Sequence, residues 1–271
     1  MRSRSVSLNA FLAAVLLFMV APIAIVIVNS FNSVAYGAWP PPRLSTRWYQ
    51  NLADQPGFGD AAVLSVEIGI VATALALVAG GLAAMALVRY SFPGRSAVNA
   101  FLLSPMLVPK VSIGLAAFML FLRIRVYGSF PSLVVAHTVL ILPFMVTIIA
   151  SGLVRVDRRL EEAALDLGAS SLRVLWHVTL PQIRRSLVAA LVLSFVISFD
   201  EVDATIFMVS PRQPTLPVAM YTYMQKFQDP TLAALSTVLI AATFVLAAVA
   251  FRSFGLAGFT QAMSRRAAES D

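Results

Sequence analysis

Six long apolar stretches alternate with shorter polar segments along this chain of 271 residues. Each stretch holds roughly twenty or more residues, the length at which an α-helix crosses the hydrocarbon core of a bilayer. The pattern therefore predicts an all-α integral membrane protein with six transmembrane helices. We expect these helices at residues 8–28, 61–88, 98–122, 131–152, 186–208 and 229–254.

The same pattern predicts a transmembrane domain with short flanks. We expect an N-terminus at 1–7, a transmembrane domain over 8–255 that includes a polar loop at 153–185, and a tail at 256–271. The first apolar stretch is longer than a typical signal-peptide core and contains Pro22, so we predict that it is retained as a span. Pro105, Pro109 and Gly114 predict an interruption of the third span, which is tolerated where protein or a water-filled cavity satisfies the freed backbone groups.

Residues 29–60 and 209–228 are predicted to lie outside the bilayer, because proline, glycine and polar residues are frequent there. Trp39, Trp48 and Tyr49 are aromatic residues of the kind that lies at the headgroup level, and we expect them at that interface.

The polar segment 157–181 is the longest amphipathic insertion between spans. Asp157 is predicted to cap a helix whose apolar stripe is formed by Leu160, Ala163, Ala164 and Leu167. Gly168 follows that stripe, where a left-handed turn can end a helix. A second short stripe consists of Leu172, Leu175 and Trp176, and Pro181 fits the first turn of the next helix. The segment therefore predicts a helical hairpin.

The composition excludes several other classes of protein. Hydrophobic residues make up 59% of the chain and charged residues 12%, so a soluble domain of this length is excluded. The chain has no cysteine and only two histidines, which excludes disulfides and a cysteine-based metal site. It has no GxxxxGK[ST] phosphate-binding motif, so any energy from ATP has to come from another subunit.

Basic residues predict the orientation in the membrane. With six spans, thirteen of them fall on the side that holds both termini and the 153–185 loop, and six fall on the other side. Cytoplasmic loops are enriched in lysine and arginine, so we expect both termini and this loop in the cytoplasm of a bacterial inner-membrane protein.

The spacing Glu162-Ala163-Ala164-x3-Gly168-x9-Val178-x-Leu180-Pro181 resembles the EAA loop of the membrane subunits of bacterial ABC importers. The resemblance implies a type I ABC importer permease fold in which a short helix docks in a cleft of an ATPase subunit. The residues it assigns to ATPase coupling are Glu162, Ala163, Ala164, Gly168, Leu172, Trp176, Leu180 and Pro181. The alternative is an ordinary amphipathic hairpin that lies on the lipid.

Residues 215–221 and 229–237 are similar to the C-terminal part of spermidine/putrescine permeases. This resemblance implies a non-catalytic permease subunit for polyamines or a related small cationic amine. It also implies an ABC ATPase dimer, a second and different permease, and an extracytoplasmic solute-binding protein as partners. The chain itself would bind no cofactor, since ATP and Mg would bind to the ATPase. The alternative is an importer for another small solute of the amino acid, opine or aminophosphonate type.

Charged residues within the apolar stretches are candidates for the substrate pathway, because such residues are costly in a bilayer unless they are paired or face a cavity. The candidates are Asp200, Glu201, Asp203, Glu67, Lys110 and Tyr221. On a continuous helix, Asp200 and Asp203 would share one face. The alternative is a structural role, in which the acids cap the bundle and Lys110 neutralises Glu67 or one of them.

Two further functions remain as alternatives from other classes. An ion-driven secondary transporter could use Asp200, Glu201 and Asp203 as its ion site, although the chain shows no clear inverted repeat. An intramembrane enzyme is disfavoured because no Ser/His/Asp or HExxH constellation occurs. His137, within the fourth stretch, is expected to form a hydrogen bond between helices.

Overall fold

The structure, a computed structural model, describes residues 2–35 and 38–253. These residues form twelve α-helices and no β-strand, apart from an isolated bridge between Asn32 and Leu44. The helices are α1 (Arg2–Ser30), α2 (Arg47–Asp54), α3 (Phe58–Arg89), α4 (Arg95–Leu103), α5 (Lys110–Arg123), α6 (Phe130–Val154), α7 (Arg158–Asp166), α8 (Ser171–Val174), α9 (Leu180–Phe199), α10 (Thr205–Met208), α11 (Leu216–Lys226) and α12 (Thr231–Ser253). The predicted all-α class is confirmed.

Four helical segments are long and apolar enough to cross a membrane, and a fifth span results if one sharply bent pair crosses as a unit. The four segments are Leu8–Ser30, Phe58–Arg89, Phe130–Val154 and Ser171–Phe199. Within the described residues, α12 contributes a shorter apolar helix over Thr231–Val245. The predicted tail at 256–271 lies outside the described residues.

The bent pair corresponds to the predicted interrupted span. The segments Arg95–Met106 and Lys110–Arg123 meet at an angle of 97°. Pro105 lies in a single 3₁₀ turn, and Pro109 precedes the first residue of α5. Proline has no amide hydrogen and disfavours a helical residue before it, so two of them end the first segment here. Gly114 is not part of the break, since it lies within α5.

The chain divides into two compact units. One comprises 59–219, and the other comprises the residues up to Phe58 together with those from Met220 onward. In the second of these units, α1 and α2 both pack against α12. Trp48 is buried there, and its indole nitrogen donates to the Asn32 carbonyl at 2.6 Å. The Trp48 side chain is therefore packed and hydrogen-bonded within this unit, and its predicted location at the headgroup level stays a prediction.

A hydrogen-bonded corner in this same unit fixes the start of α12. Tyr223 donates to the Asp229 carboxylate, and Asp229 accepts from the Thr231 amide at 2.9 Å. Asn51 also donates to the Thr231 hydroxyl, at 2.7 Å. Burial raises the pKa of Tyr223 above its ordinary value, as does the neighbouring Asp229 charge. Tyr223 is therefore a protonated donor near neutral pH.

The core of the 59–219 unit lies where α6 packs along α9, with α3 beside them. Small residues permit the close approach of these helices. A Cβ added at Gly80 would lie 2.9 Å from Met145 Cγ, and one at Gly152 would lie 2.6 Å from Ser186 Oγ. Larger residues at either position would push α6 away from its neighbours.

The fifth apolar stretch differs from its prediction at both ends. Its helical segment runs from Ser171, within the predicted loop, to Phe199, so the prediction of one helix over 186–208 is wrong. The helix ends at Phe199, and just beyond it the Glu201 side chain reaches forward and accepts from the Ala204 amide at 3.0 Å. Such local bonds compete with the backbone pairing of a helix. α10 begins after this turn.

Candidate functional site

The EAA loop, residues 157–181, folds as the predicted helical hairpin. The Asp157 carboxylate accepts from the Arg159 amide at 3.0 Å and so caps α7. Gly168 has a φ of +85°, and the Ala169 amide donates to the Ala164 carbonyl at 3.0 Å. A glycine adopts this left-handed conformation without steric cost, which is why the chain reverses here.

The second limb of the EAA loop begins with α8 and continues into α9 through a π-helical turn. Ser170 accepts from the Arg173 amide and caps α8. The wider turn spans Leu175–Thr179, and Pro181 then lies in the first turn of α9, as predicted. Turns of this kind often occur at functional sites. No loop separates this limb from α9, and Ser171–Phe199 forms one continuous helical segment.

Apolar side chains of the EAA loop remain exposed on this chain. Leu167 is 89% exposed, Leu172 65% and Trp176 62%. Of the residues assigned to coupling, Glu162, Ala163, Gly168, Leu172, Trp176 and Pro181 are exposed, whereas Ala164 and Leu180 are partly buried. Large exposed apolar side chains beside polar ones are typical of a protein or membrane interaction surface.

Glu161, which the sequence patterns did not single out, is turned into the protein. Its Oε1 accepts from Arg89 Nη2 at 3.0 Å and from Thr179 Oγ1 at 2.7 Å. The adjacent Glu162 is exposed and forms no ion pair among the described residues. Neighbouring residues of a helix differ by about 100° in direction, so the two glutamates face different surroundings. The carboxylate of Glu162 is therefore exposed, whereas that of the preceding Glu161 is hydrogen-bonded within the protein.

A second polar cluster lies where α5 begins and α9 ends. Lys110 Nζ lies 2.6 Å from Glu201 Oε2, and the Glu201 side chain is 1% exposed. Of the two structural roles predicted for Lys110, the pair with a fifth-span acid is therefore present. Gly114 faces the same turn, since an added Cβ would lie 2.6 Å from Ala204 Cα.

The other predicted pathway residues are distributed differently. Asp200 and Asp203 are exposed, and because α9 ends before them they do not share a helical face. Glu67 is exposed on α3 with no ion pair among the described residues, so it is not the partner of Lys110. Tyr221 is 41% exposed on α11. Among the described residues, Lys110 forms an ion pair with Glu201 and with neither Glu67 nor the two aspartates.

His137 joins α6 to the end of α9. Its Nδ1 lies 2.9 Å from Ser198 Oγ, and its Nε2 lies 3.0 Å from Thr205 Oγ1. All three side chains are buried. The predicted interhelical hydrogen bond is confirmed, and it holds both sides of the turn that contains Glu201. Within the described part of the chain, no three His, Cys, Asp or Glu side chains are grouped as a metal site.

The EAA loop geometry agrees with a comparison against known families. The model of the family described as binding-protein-dependent transport system inner membrane component matches residues 72–259. The chain belongs to this family. As a member of it, the protein is a multi-pass transporter permease and not a catalytic subunit.

Relatives within this family are similar over most of their length. The spermidine/putrescine transport system permease protein PotC of Haemophilus influenzae is 35% identical over 88% of this chain and 92% of its own. The putrescine transport system permease protein PotI of Escherichia coli is 29% identical over 86% of this chain and 85% of its own.

A solved structure shows the same fold. The crystal structure of a bacterial ABC transporter involved in the import of the acidic polysaccharide alginate aligns with a TM-score of 0.68. The alignment covers 92% of this chain and 94% of that one, at 15% identity. The arrangement of helices is therefore that of ABC importer permeases.

Proposed function

We propose that this permease forms half of the translocation pathway of an ATP-driven importer for polyamines, or for a related small cationic amine. An ABC ATPase dimer docks against its EAA loop. The observation that supports this function best is the EAA loop itself. Its apolar side chains and the Glu162 carboxylate are exposed, while Gly168 holds the reversal at a φ of +85°.

The lipid-bound hairpin is the weaker alternative for this surface. A hairpin that only lies on lipid needs an apolar stripe, and it needs neither a free carboxylate nor a fixed reversal. Glu162, Leu160 and Leu167 are all exposed on this loop, which suits a partner that offers both a basic residue and apolar surface. Docking of an ATPase accounts for all of these features together.

The continuity of the EAA loop with membrane helices supports a mechanism. α7 follows α6 after a short connection, and the second limb runs directly into α9. Closure of the ATPase dimer around ATP and Mg would displace the hairpin, and α6 and α9 would then move with it. We infer that this motion changes the access of the cavity from one side of the membrane to the other. This chain needs no cofactor of its own for that role.

The substrate class rests on the relatives and on acidic side chains. Two similar permeases belong to spermidine/putrescine and putrescine systems. Asp200 and Asp203 are exposed at the end of α9, where negative charge would attract an amine with two or more positive charges. Glu201 is paired with Lys110 and is not free to do the same. Tyr221 is an exposed aromatic residue that could contact a cationic solute.

The topology proposed for the assembled importer has six spans. α12 and the bent pair that ends in α5 complete this number beside the four long segments. The excess of thirteen basic residues against six supports a cytoplasmic location for both termini and the EAA loop. A second, different permease completes the pathway, and an extracytoplasmic binding protein delivers the solute.

Uptake into proteoliposomes tests the proposal. The chain would be reconstituted with its ATPase, its second permease and its binding protein, and labelled putrescine and spermidine would be offered. We expect uptake that needs ATP and persists when ion gradients are dissipated. Uptake driven by an ion gradient without ATP would identify a secondary transporter instead. ATP-driven uptake of an amino acid, opine or aminophosphonate, without uptake of polyamines, would support an ATP-driven importer and contradict the proposed substrate class.

A further inference from the structure

Three elements that are distant in the sequence meet at one carboxylate oxygen. Arg89 lies in the last turn of α3, Glu161 in the first turn of α7, and Thr179 at the end of the π-helical turn. Glu161 Oε1 accepts from the side chains of both other residues, at 3.0 and 2.7 Å. Arg158 also donates to the Arg89 carbonyl, at 3.4 Å. The base of the EAA loop is therefore bound to α3 at two points.

This cluster is shielded from water. The side chains of Arg89 and Glu161 are 10% and 14% exposed, and Thr179 is buried. An ion pair in such surroundings is screened weakly by salt and depends on both partners. Each charge also lies at the helix end that favours its sign, because α3 ends at Arg89 and α7 begins just before Glu161. The contact is thus directional as well as buried.

The contact joins the EAA loop to a helix that the backbone does not connect to it. The loop is covalently continuous with α6 and α9, whereas Arg89 and Glu161 are 72 residues apart in the chain. The cluster also holds the two limbs of the hairpin together at their base, through Glu161 and Thr179. Movement of a hairpin bound in this way relative to α3 would stretch or break this largely buried ion pair.

We propose that Glu161 is a positioning residue that passes movement of the EAA loop to α3 through Arg89. The two adjacent glutamates then have separate roles. Glu162 contacts the ATPase, and Glu161 contacts α3 of the permease itself. The inference rests on the proposed docking of the ATPase and extends it to a helix outside the loop's covalent neighbours.

The test measures how much solute the reconstituted importer moves for each ATP hydrolysed. Glu161→Gln and Arg89→Met keep the size of each side chain and remove one charge. We expect either variant to retain the ATPase and to lower transported solute per ATP by about fivefold or more, a typical size for coupling between sites. The double variant should be no worse than either single one, and the exchange Arg89→Glu with Glu161→Arg should recover part of the ratio. Thr179→Val should give a smaller loss.

Two controls separate a positioning role from a merely structural one. Arg95→Met removes an exposed arginine that forms no ion pair among the described residues, and it should leave the ratio unchanged. If Glu161→Gln lowers the amount of folded protein while solute per ATP stays normal, the proposal is overturned. Glu162→Ala tests the docking separately: if this variant fails to weaken ATPase association, the proposed function is contradicted, and with it the docking on which this inference rests.

Discussion

Lys110 Nζ lies 2.6 Å from Glu201 Oε2 and joins the start of α5 to the turn that follows α9. The two side chains differ in surroundings, since that of Glu201 is 1% exposed and that of Lys110 is 44% exposed. A cation in the first turn of a helix is disfavoured by the helix dipole, and a buried carboxylate is costly without a partner. Each charge therefore offsets the cost of the other.

Lys110→Met leaves the Glu201 carboxylate buried without its cation. We expect a loss of about 1–3 kcal/mol in stability, the usual cost of an unsatisfied buried polar group. Adding Glu201→Gln should restore part of the loss, because the uncompensated charge is then absent. Thermal unfolding of the purified chain in detergent measures both effects. Lys226→Met alters the chain's other lysine, which forms no ion pair among the described residues, and should change little. Strictly additive losses at 110 and 201 would contradict a direct pair.

Gly168→Val places a β-branched residue at a φ of +85°, with open space around the added atoms. The strain is local, at roughly 1–2 kcal/mol for a left-handed residue, so the protein should still reach the membrane. We expect transport to fall while the ATPase continues to hydrolyse ATP, because the hairpin tip is displaced. Gly94→Val is the matched control, since Gly94 has a φ of +82° and is equally open. Equal loss of transport in both variants would point to general destabilisation.

Trp176→Ala and Leu167→Ser remove apolar side chains that contact solvent in this chain. Neither should reduce the stability of the chain alone, because both residues are more than half exposed. Each should weaken association with the ATPase by about 1–2 kcal/mol or more if it fills a pocket there. Co-purification in detergent at a series of ATPase concentrations gives that value. Phe101→Ser, on the 76% exposed Phe101 of α4, serves as the comparison and should leave association unchanged.

Asp200→Asn combined with Asp203→Asn removes two exposed carboxylates without touching the buried Glu201. We expect the KM for a polyamine to rise by about tenfold, the lower end of the effect of a charged cleft on a charged solute. The amount of protein in the membrane should change far less, and immunodetection beside the uptake assay compares the two. Asp60→Asn, an exposed acid in the first turn of α3, is the control. A parallel fall in uptake and protein level would assign the aspartates a structural role.

The sequence was most informative where local rules decide the structure. Asp157 as a cap, Gly168 as a left-handed residue and Pro181 in a first turn each follow from the chemistry of one residue and its neighbours. The end of α9 was missed, because apolar residues resume at Ala204 and suggested one helix through the acidic group at 200–203. In the structure the Ala204 amide donates to the Glu201 side chain just beyond the helix end. A second local rule, against proline within helices, placed the break before α5 correctly.

Contacts between distant segments were beyond the sequence patterns. Glu161 looked like an ordinary first-turn acid, and nothing nearby indicated that Arg89 would meet it from 72 residues away. Glu67 shows the same limit from the other side. Its position in an apolar stretch predicted that it lies within a span, but it did not predict that its side chain is exposed on α3. The choice between Glu67 and Glu201 as the partner of Lys110 likewise required the fold.

Labelling at position 162 tests the central claim most directly, that the EAA loop faces the cytoplasm and docks the ATPase. The chain has no cysteine, so Glu162→Cys introduces a single reactive thiol. In intact cells an impermeant maleimide should leave it unlabelled, and a benzophenone maleimide that enters the cell should cross-link it to the ATPase subunit. Labelling from outside, or cross-links to lipid with none to the ATPase, would contradict the account.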